Sequence, residues 1–174
     1  MDDPDDRTIE AARRGDRSAQ AHLLRQLQDR WFRVCYGQLH DHERARDAAQ
    51  ETALRFIREL PKFSGQSRLT TWSIGIAINV SREIRRTDRP IPIDAAKCGE
   101  DSPDLAVGDA EQNSLVREML DELPPRQREA LVLRFFEDLS TEEAAAAMGC
   151  AAGTIKATVH QALRALKQKM AKLK

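Results

Sequence analysis

The last third of the chain, Leu123 to Lys174, constrains the fold most, because its helix-stopping and helix-starting residues are closely spaced. Pro124 and Pro125 end one helix and open the next, since proline is tolerated at a helix start and not in its interior. Arg126 to Phe136 then carries Ala130, Leu131, Leu133, Phe135 and Phe136, which read as a wide buried stripe. Ser140 is followed three residues later by Glu143. This is a capping box, in which the hydroxyl takes a free backbone N–H and the carboxylate reaches back. It predicts a helix from Thr141 to Met148, ended by Gly149, a residue able to supply the left-handed conformation of a helix end. A further helix is predicted from about Ala152 to the C-terminus. Ala145 lies four residues before Gly149, and Ile155 six after it. A small residue lets two helices cross closely, the glycine makes the turn, and the apolar residue anchors the second helix. That is the grammar of a helix–turn–helix.

Charge sharpens this reading. The net charge is formally zero, so no global basicity argues for a polyanionic partner. The distribution does. Residues 151–174 hold six Lys or Arg and no Asp or Glu. Positive charge also gathers over 62–89, whereas residues 2–6 contain four Asp. A basic C-terminal helix is either a solvated face or a nucleic-acid-facing one, and the capping box and turn spacing favour the second.

The chain reads as all-α: two small helical domains joined by an acidic, flexible linker. The first spans 1–88, the linker 89–112 and the helix–turn–helix domain 113–174. The linker holds Pro90, Pro92 and Pro103, with six acidic residues against Arg89 and Lys97. Cys35, Cys98 and Cys150 are far apart, form no C-x-x-C, and read as free thiols. His40 and His42 have no patterned ligand beside them. No metal, no cofactor and no catalytic activity are expected, since no nucleotide-binding glycine loop, convergent nucleophile or carboxylate pair appears. No signal peptide and no apolar run long enough for a bilayer is present, so a cytoplasmic protein without membrane insertion is expected.

In the first domain a short helix, Thr8 to Arg14, breaks at Gly15-Asp16, and a long helix follows from about Ser18 to Leu39. The next, about Glu43 to Leu60, turns Ala45, Ala48, Ala49, Thr52, Ala53, Phe56, Ile57 and Leu60 inward. Asp47, Gln50, Glu51 and Leu54, at i, i+3, i+4 and i+7, share the outer face. Spacing alone leaves that face open between an ordinary solvated surface and a docking surface for a basic partner, with the first favoured. A basic helix then runs from Trp72 to Arg86. Its Trp72, Asn79, Arg82, Arg85 and Arg86 are the residue types that hold unpaired bases against a charged wall. A core tryptophan with surface arginines fits the same pattern.

With these segments in order, the chain resembles the extracytoplasmic function (ECF) group of RNA polymerase sigma factors. AARRGDRSAQAHLL resembles the opening helix of that family, ARDAAQETALRFIRELPKF the polymerase-docking segment, and SRLTTWSIGIAINVSREIRR the promoter-melting, −10-reading segment. The run from LDELPPRQREAL through GTIKATVHQALRALKQKM resembles the −35-reading domain. The resemblance implies that Asp47, Gln50, Glu51 and Leu54 dock on the clamp helices of the β′ subunit of core RNA polymerase. It implies that Trp72, Asn79, Arg82, Arg85 and Arg86 serve −10 strand capture. Thr154, Lys156, Thr158, His160, Gln161 and Arg164 become the candidates for −35 promoter DNA. An anti-sigma factor is the expected negative regulator. Two departures stand out. Thr158 and Gln161 stand where the family often has arginine, the strongest donor to guanine and phosphate. Ala151 stands where a capping residue or proline is usual. The rival reading is a free-standing helix–turn–helix repressor or activator, which would have no need of the acidic face or of the Trp72–Arg86 helix.

Overall fold

A computed structural model describes residues 3–87 and 119–172. The acidic linker 89–112 and the opening of the second domain, 113–118, lie outside the described residues. Helix α1 (Asp6–Arg13) is capped by Asp5, whose carboxylate accepts the Thr8 N–H at 3.0 Å. Gly15, at φ +93°, turns the chain into α2 (Arg17–Leu39). Helix α2 ends on His40 in the left-handed region, and Asp41 caps α3 (His42–Glu59) by accepting from the Arg44 N–H at 2.8 Å. The His40-Asp41-His42 segment is therefore a turn built from two helix ends. A short 3-10 turn over Leu60–Lys62 leads into a loop and then α4 (Leu69–Thr87).

Helix α4 starts earlier than Trp72, and its cap comes from far away in sequence. Asp3 accepts from the N–H groups of Leu69 and Thr70 at 3.1 and 3.0 Å. A carboxylate at a helix N-terminus meets free donors and the positive end of the helix dipole. Local sequence around Leu69 contains no hint of it.

Helices α2, α3 and α4 bury Trp31, Phe56, Ile74 and Ile78 between them. Trp31 packs on Phe56 with ring centroids 5.1 Å apart, and its indole N–H donates to Ser73 Oγ at 3.0 Å. That bond lets a tryptophan be fully buried, because its one polar atom is satisfied. Thr52 and Ser81 donate to carbonyls of their own helices, Ala48 and Ala77. Cys35 lies buried beside these hydroxyls, and desolvation pushes its thiol up to about 11. Such a thiol is inert at neutral pH.

The second half contains α5 (Pro125–Leu131), a π-turn (Val132–Phe136), α6 (Thr141–Met148) and α7 (Ala152–Lys172). Both halves of the capping box are formed: Ser140 N–H to Glu143 at 2.8 Å and Glu143 N–H to Ser140 Oγ at 3.1 Å. Gly149 has φ +65°, and Ala145 and Ile155 are buried at the crossing of α6 and α7. One expectation is corrected. Arg126 to Phe136 is not a single α-helix, and Phe135 and Phe136 do not join the core; they are 56% and 39% exposed. The π-turn takes an extra residue per turn, which rotates the following side chains off the buried stripe.

The halves do not stand apart. The main core runs from Ile9 in α1 through Ile78 in α4 to Ala147 and Ile155 in the helix–turn–helix. A smaller cluster of Leu120, Leu123, Leu131 and Ala162 holds α7 to the chain before and within α5. At the junction a Cβ on Gly75 would lie 3.2 Å from the Ala147 carbonyl oxygen, and one on Gly37 would lie 3.0 Å from the Val132 side chain. A side chain at either position would force its neighbour to give way by a few tenths of an ångström, and at Gly75 that neighbour is backbone.

Candidate nucleic-acid interface

The outer face of α3 is as spacing predicts. Asp47, Gln50 and Leu54 are exposed, Leu54 at 70%, and Glu51 is half-buried. Glu51 is not a free charge. Arg55 donates to it through Nε at 2.6 Å and to both oxygens of Glu83 on α4, at 2.9 and 2.7 Å. The two carboxylates raise the Arg55 guanidinium above its already high value, and the same pairing holds the Glu83 carboxyl below the usual range. Arg55 thus ties the outer face of α3 to the basic helix.

Between α3 and α4 lies an open groove whose walls include Arg58, Asn79, Arg82 and Arg86. Asn79 and Arg86 are exposed, and the Asn79 carbonyl oxygen accepts from Arg82 Nη1 at 3.2 Å. Trp72 is half-buried. It packs on Phe56 and Phe63 with centroids 5.7 and 5.1 Å away, so it supports the helix from beneath. Its edge lines a second groove, shared with α6, where it meets Asn79, Arg82 and Met148. Arg82 and Arg85 are not free donors. Both bind the carboxylate of Glu129 on α5: Arg82 Nε and Nη2 at 3.0 and 2.7 Å, Arg85 Nη2 at 2.8 Å.

On α7 the packed side is Ile155, Val159 and Ala162. Thr154, Lys156, His160, Gln161 and Arg164 are exposed, while Thr158 is half-buried. Five of the six −35 candidates therefore share the solvent side of a basic helix, with Thr158 nearer its packed side.

Two family models match the chain: Sigma-70 region 2 over residues 23–90 and Sigma-70, region 4 over residues 114–166. The RNA polymerase sigma-H factor of Pseudomonas aeruginosa is 32% identical over 176 residues, covering 93% of this chain and 91% of the relative. The ECF RNA polymerase sigma factor SigD of Mycobacterium tuberculosis is 31% identical, covering 95% of this chain and 83% of the relative. The chain belongs to the ECF group of RNA polymerase sigma factors. As a sigma factor it directs transcription initiation, with RNA polymerase and promoter DNA as partners.

Solved structures agree with the fold of this sigma factor. The sigma factor RpoE in complex with the anti-sigma factor NepR from Bartonella quintana matches with TM-score 0.67 and 25% identity, over 87% of this chain and 96% of that one. CnrH in complex with the cytosolic domain of CnrY matches with TM-score 0.73 over 95% of this chain and 96% of that one, at 19% identity. Sigma factors as a family are initiation factors, not catalysts. No described helix is long and apolar enough to cross a membrane.

Sequence reasoning missed the acidic partners of the arginines in this sigma factor. Glu129 and Glu137 are both buried. Glu137 accepts from Arg30 Nε at 2.6 Å and from Arg33 Nε at 3.2 Å. A signal was present: Arg30 and Arg33 are three apart, as are Arg82 and Arg85, so each pair presents two guanidiniums from one helix face. Two facing guanidiniums on an otherwise packed helix need an anion between them. The sequence does not say from which part of the chain it comes.

Proposed function

We propose that this sigma factor divides promoter recognition among three surfaces. The face of Asp47, Gln50, Glu51 and Leu54 docks on the β′ clamp helices of core polymerase. Asn79, Arg82, Arg85 and Arg86 capture the −10 strand, with Trp72 as a packing support. Thr154, Lys156, Thr158, His160, Gln161 and Arg164 face the −35 duplex. The first 88 residues carry the first two tasks, residues 113–174 the third, and 89–112 join them. The chain acts in the cytoplasm, contributes no catalytic step and needs no cofactor. The observation that carries this reading is the α3 face: a leucine 70% exposed among acidic and amide side chains is unexplained by packing and fits a basic, partly apolar partner. An anti-sigma factor is the expected antagonist, as the RpoE relative is solved bound to NepR.

Retention of core RNA polymerase by the immobilised chain, followed by run-off transcription from a promoter that depends on it, tests the assignment. Retention lost on Leu54→Ala combined with Gln50→Ala supports docking through α3. Retention unchanged in that variant removes it.

A further inference from the structure

The start of α4 is held from outside its own segment. Asp3 accepts from the Leu69 N–H through one carboxylate oxygen at 3.1 Å and from the Thr70 N–H through the other at 3.0 Å. The arm that brings it there is itself fixed. Pro4 is buried, and Asp5 caps α1 by accepting from the Thr8 N–H at 3.0 Å and the Thr8 hydroxyl at 2.6 Å. Residues 3–5 therefore staple the starts of α1 and α4 together. On the inner side, the Thr70 carbonyl accepts from the Ser73 hydroxyl at 2.9 Å, and Ser73 Oγ accepts from the Trp31 indole at 3.0 Å. Thr70 is thus tied through both its N–H and its C=O.

A local cap is present in the sequence and is not used. Ser67 is of the residue type that opens helices, and as a cap it would take the N–H groups two and three positions on. Those belong to Leu69 and Thr70, the two donors that Asp3 occupies. A charged oxygen outcompetes a hydroxyl at the positive end of a helix. Excluded from that role, Ser67 is half-buried in the wall of the groove shared by Trp72 and Asn79. Ser64 and Gln66 beside it are exposed, and Gly65 turns the loop at φ +71°. Three polar side chains therefore stand next to that groove without a hydrogen-bond partner among the described residues.

We infer that Asp3 is a positioning residue for −10 strand capture. By taking the two donors at the start of α4, it keeps Ser67 from becoming the cap and holds Ser64, Gln66 and Ser67 in an open loop that contacts the strand. The inference rests on the reading of α4 as the strand-capturing helix. Without Asp3, Ser67 turns back onto the N–H groups of Leu69 and Thr70. Helix α4 then begins one residue earlier, at Arg68, and the loop is shortened and drawn off the groove. One cap replaces another, so the exchange costs the fold little. What is lost is a contact surface held ready for the strand.

The test uses holoenzyme reconstituted with the full chain. The probe is a fluorescent fork-junction DNA whose −10 non-template strand is unpaired, taken from a promoter that depends on this sigma factor. Well below the melting temperature, Asp3→Ala should bind the fork about tenfold more weakly, as the competent loop population falls. Its affinity for core polymerase should match wild type. Asp3→Asn, whose side-chain oxygen still caps, should bind the fork nearly as wild type does. In the free chain, the backbone chemical shifts of Ser67 and Arg68 should turn helical in Asp3→Ala and not in Asp3→Asn. Asp3→Ala combined with Ser67→Ala leaves both donors bare and should melt lower than either single variant. If Asp3→Ala binds the fork as tightly as wild type, whatever its melting temperature, Asp3 only stabilises the fold and the proposal is overturned. Ser67 shifts that stay non-helical in Asp3→Ala overturn the exchange of caps. A chain carrying Ser64→Ala, Gln66→Ala and Ser67→Ala that binds the fork as wild type overturns the loop's contact with the strand. Asn79→Ala in the same assay separates the two faults. Unchanged affinity there removes the reading of α4, whereas a loss there with Asp3→Ala unaffected removes only the role of Asp3.

Discussion

Arg55 has one guanidinium for two carboxylates, and that division governs what its neighbours can do. Glu51 gives up one oxygen to Arg55 at 2.6 Å, leaving the other free for a partner. Glu51→Lys should weaken core polymerase binding by about 2–5 kcal/mol, the range for a lost interfacial charge pair; fluorescence titration of core with labelled chain measures it. Glu83 keeps Arg55 in place in that variant, so the fold should survive. Asn79 is exposed and bonded only weakly, at 3.2 Å to Arg82, so it can be removed without disturbing the core. Asn79→Ala should leave core binding intact and reduce open-complex formation on duplex promoters. The loss should be much smaller on templates mismatched at the −10 element, where unpairing is already done. Permanganate footprinting on both templates decides it, and equal opening of the duplex by variant and wild type moves strand capture to the loop ahead of α4, from Phe63 to Arg68. At this scale the exposed face of α3 was legible because helical spacing alone fixes which residues share a side. The engagement of Arg82 and Arg85 was not, because their partner lies 47 and 44 residues away and reads as an ordinary surface glutamate.

The capping box of α6 joins local and distant interactions. Glu143 binds the Ser140 N–H, and it also accepts from Arg68 at 3.3 Å, ahead of α4. Those bonds hold its carboxyl below the ordinary value of 4.5, the Ser140 backbone N–H contributing most. The folded value is thus lower than the unfolded one. The stabilisation is complete above about pH 4.5 and is lost as pH falls through the folded value. Glu143→Gln should lower the melting temperature at neutral pH, and the gap from wild type should close well below pH 4.5. On α7, Lys156 projects into solvent. Lys156→Ala should weaken all −35 sequences alike and reduce the salt slope by about one unit; equal slopes would deny it a phosphate contact. Helix boundaries signalled by local chemistry, such as Ser140, Gly149 and Pro125, lie where the sequence puts them. The start of α4 does not, because Asp3 supplies its cap from 66 residues away. The π-turn was invisible for another reason: the apolar spacing of Leu131, Val132 and Phe135, at i, i+1 and i+4, suits an ordinary helix equally well.

Across the whole molecule, the halves approach most closely at two glycines, Gly37 and Gly75, where backbone meets the opposite half without an intervening side chain. Gly37→Leu should push Val132 away, enlarge the radius of gyration in scattering and leave the helical content by circular dichroism unchanged. A radius equal to that of wild type would show that Val132 can repack around the new side chain. The arrangement of the halves was not legible in the sequence, because a helical face buried against a neighbour in its own half looks like one buried against the other half. Gly75 also bears on other members of the group. A Cβ there would lie 3.2 Å from a backbone oxygen, which no change of side chain at position 147 can move. Drift at this position is therefore restricted for as long as the halves pack this way, and a bulky residue aligned with Gly75 in a relative would mark a lineage whose halves meet differently.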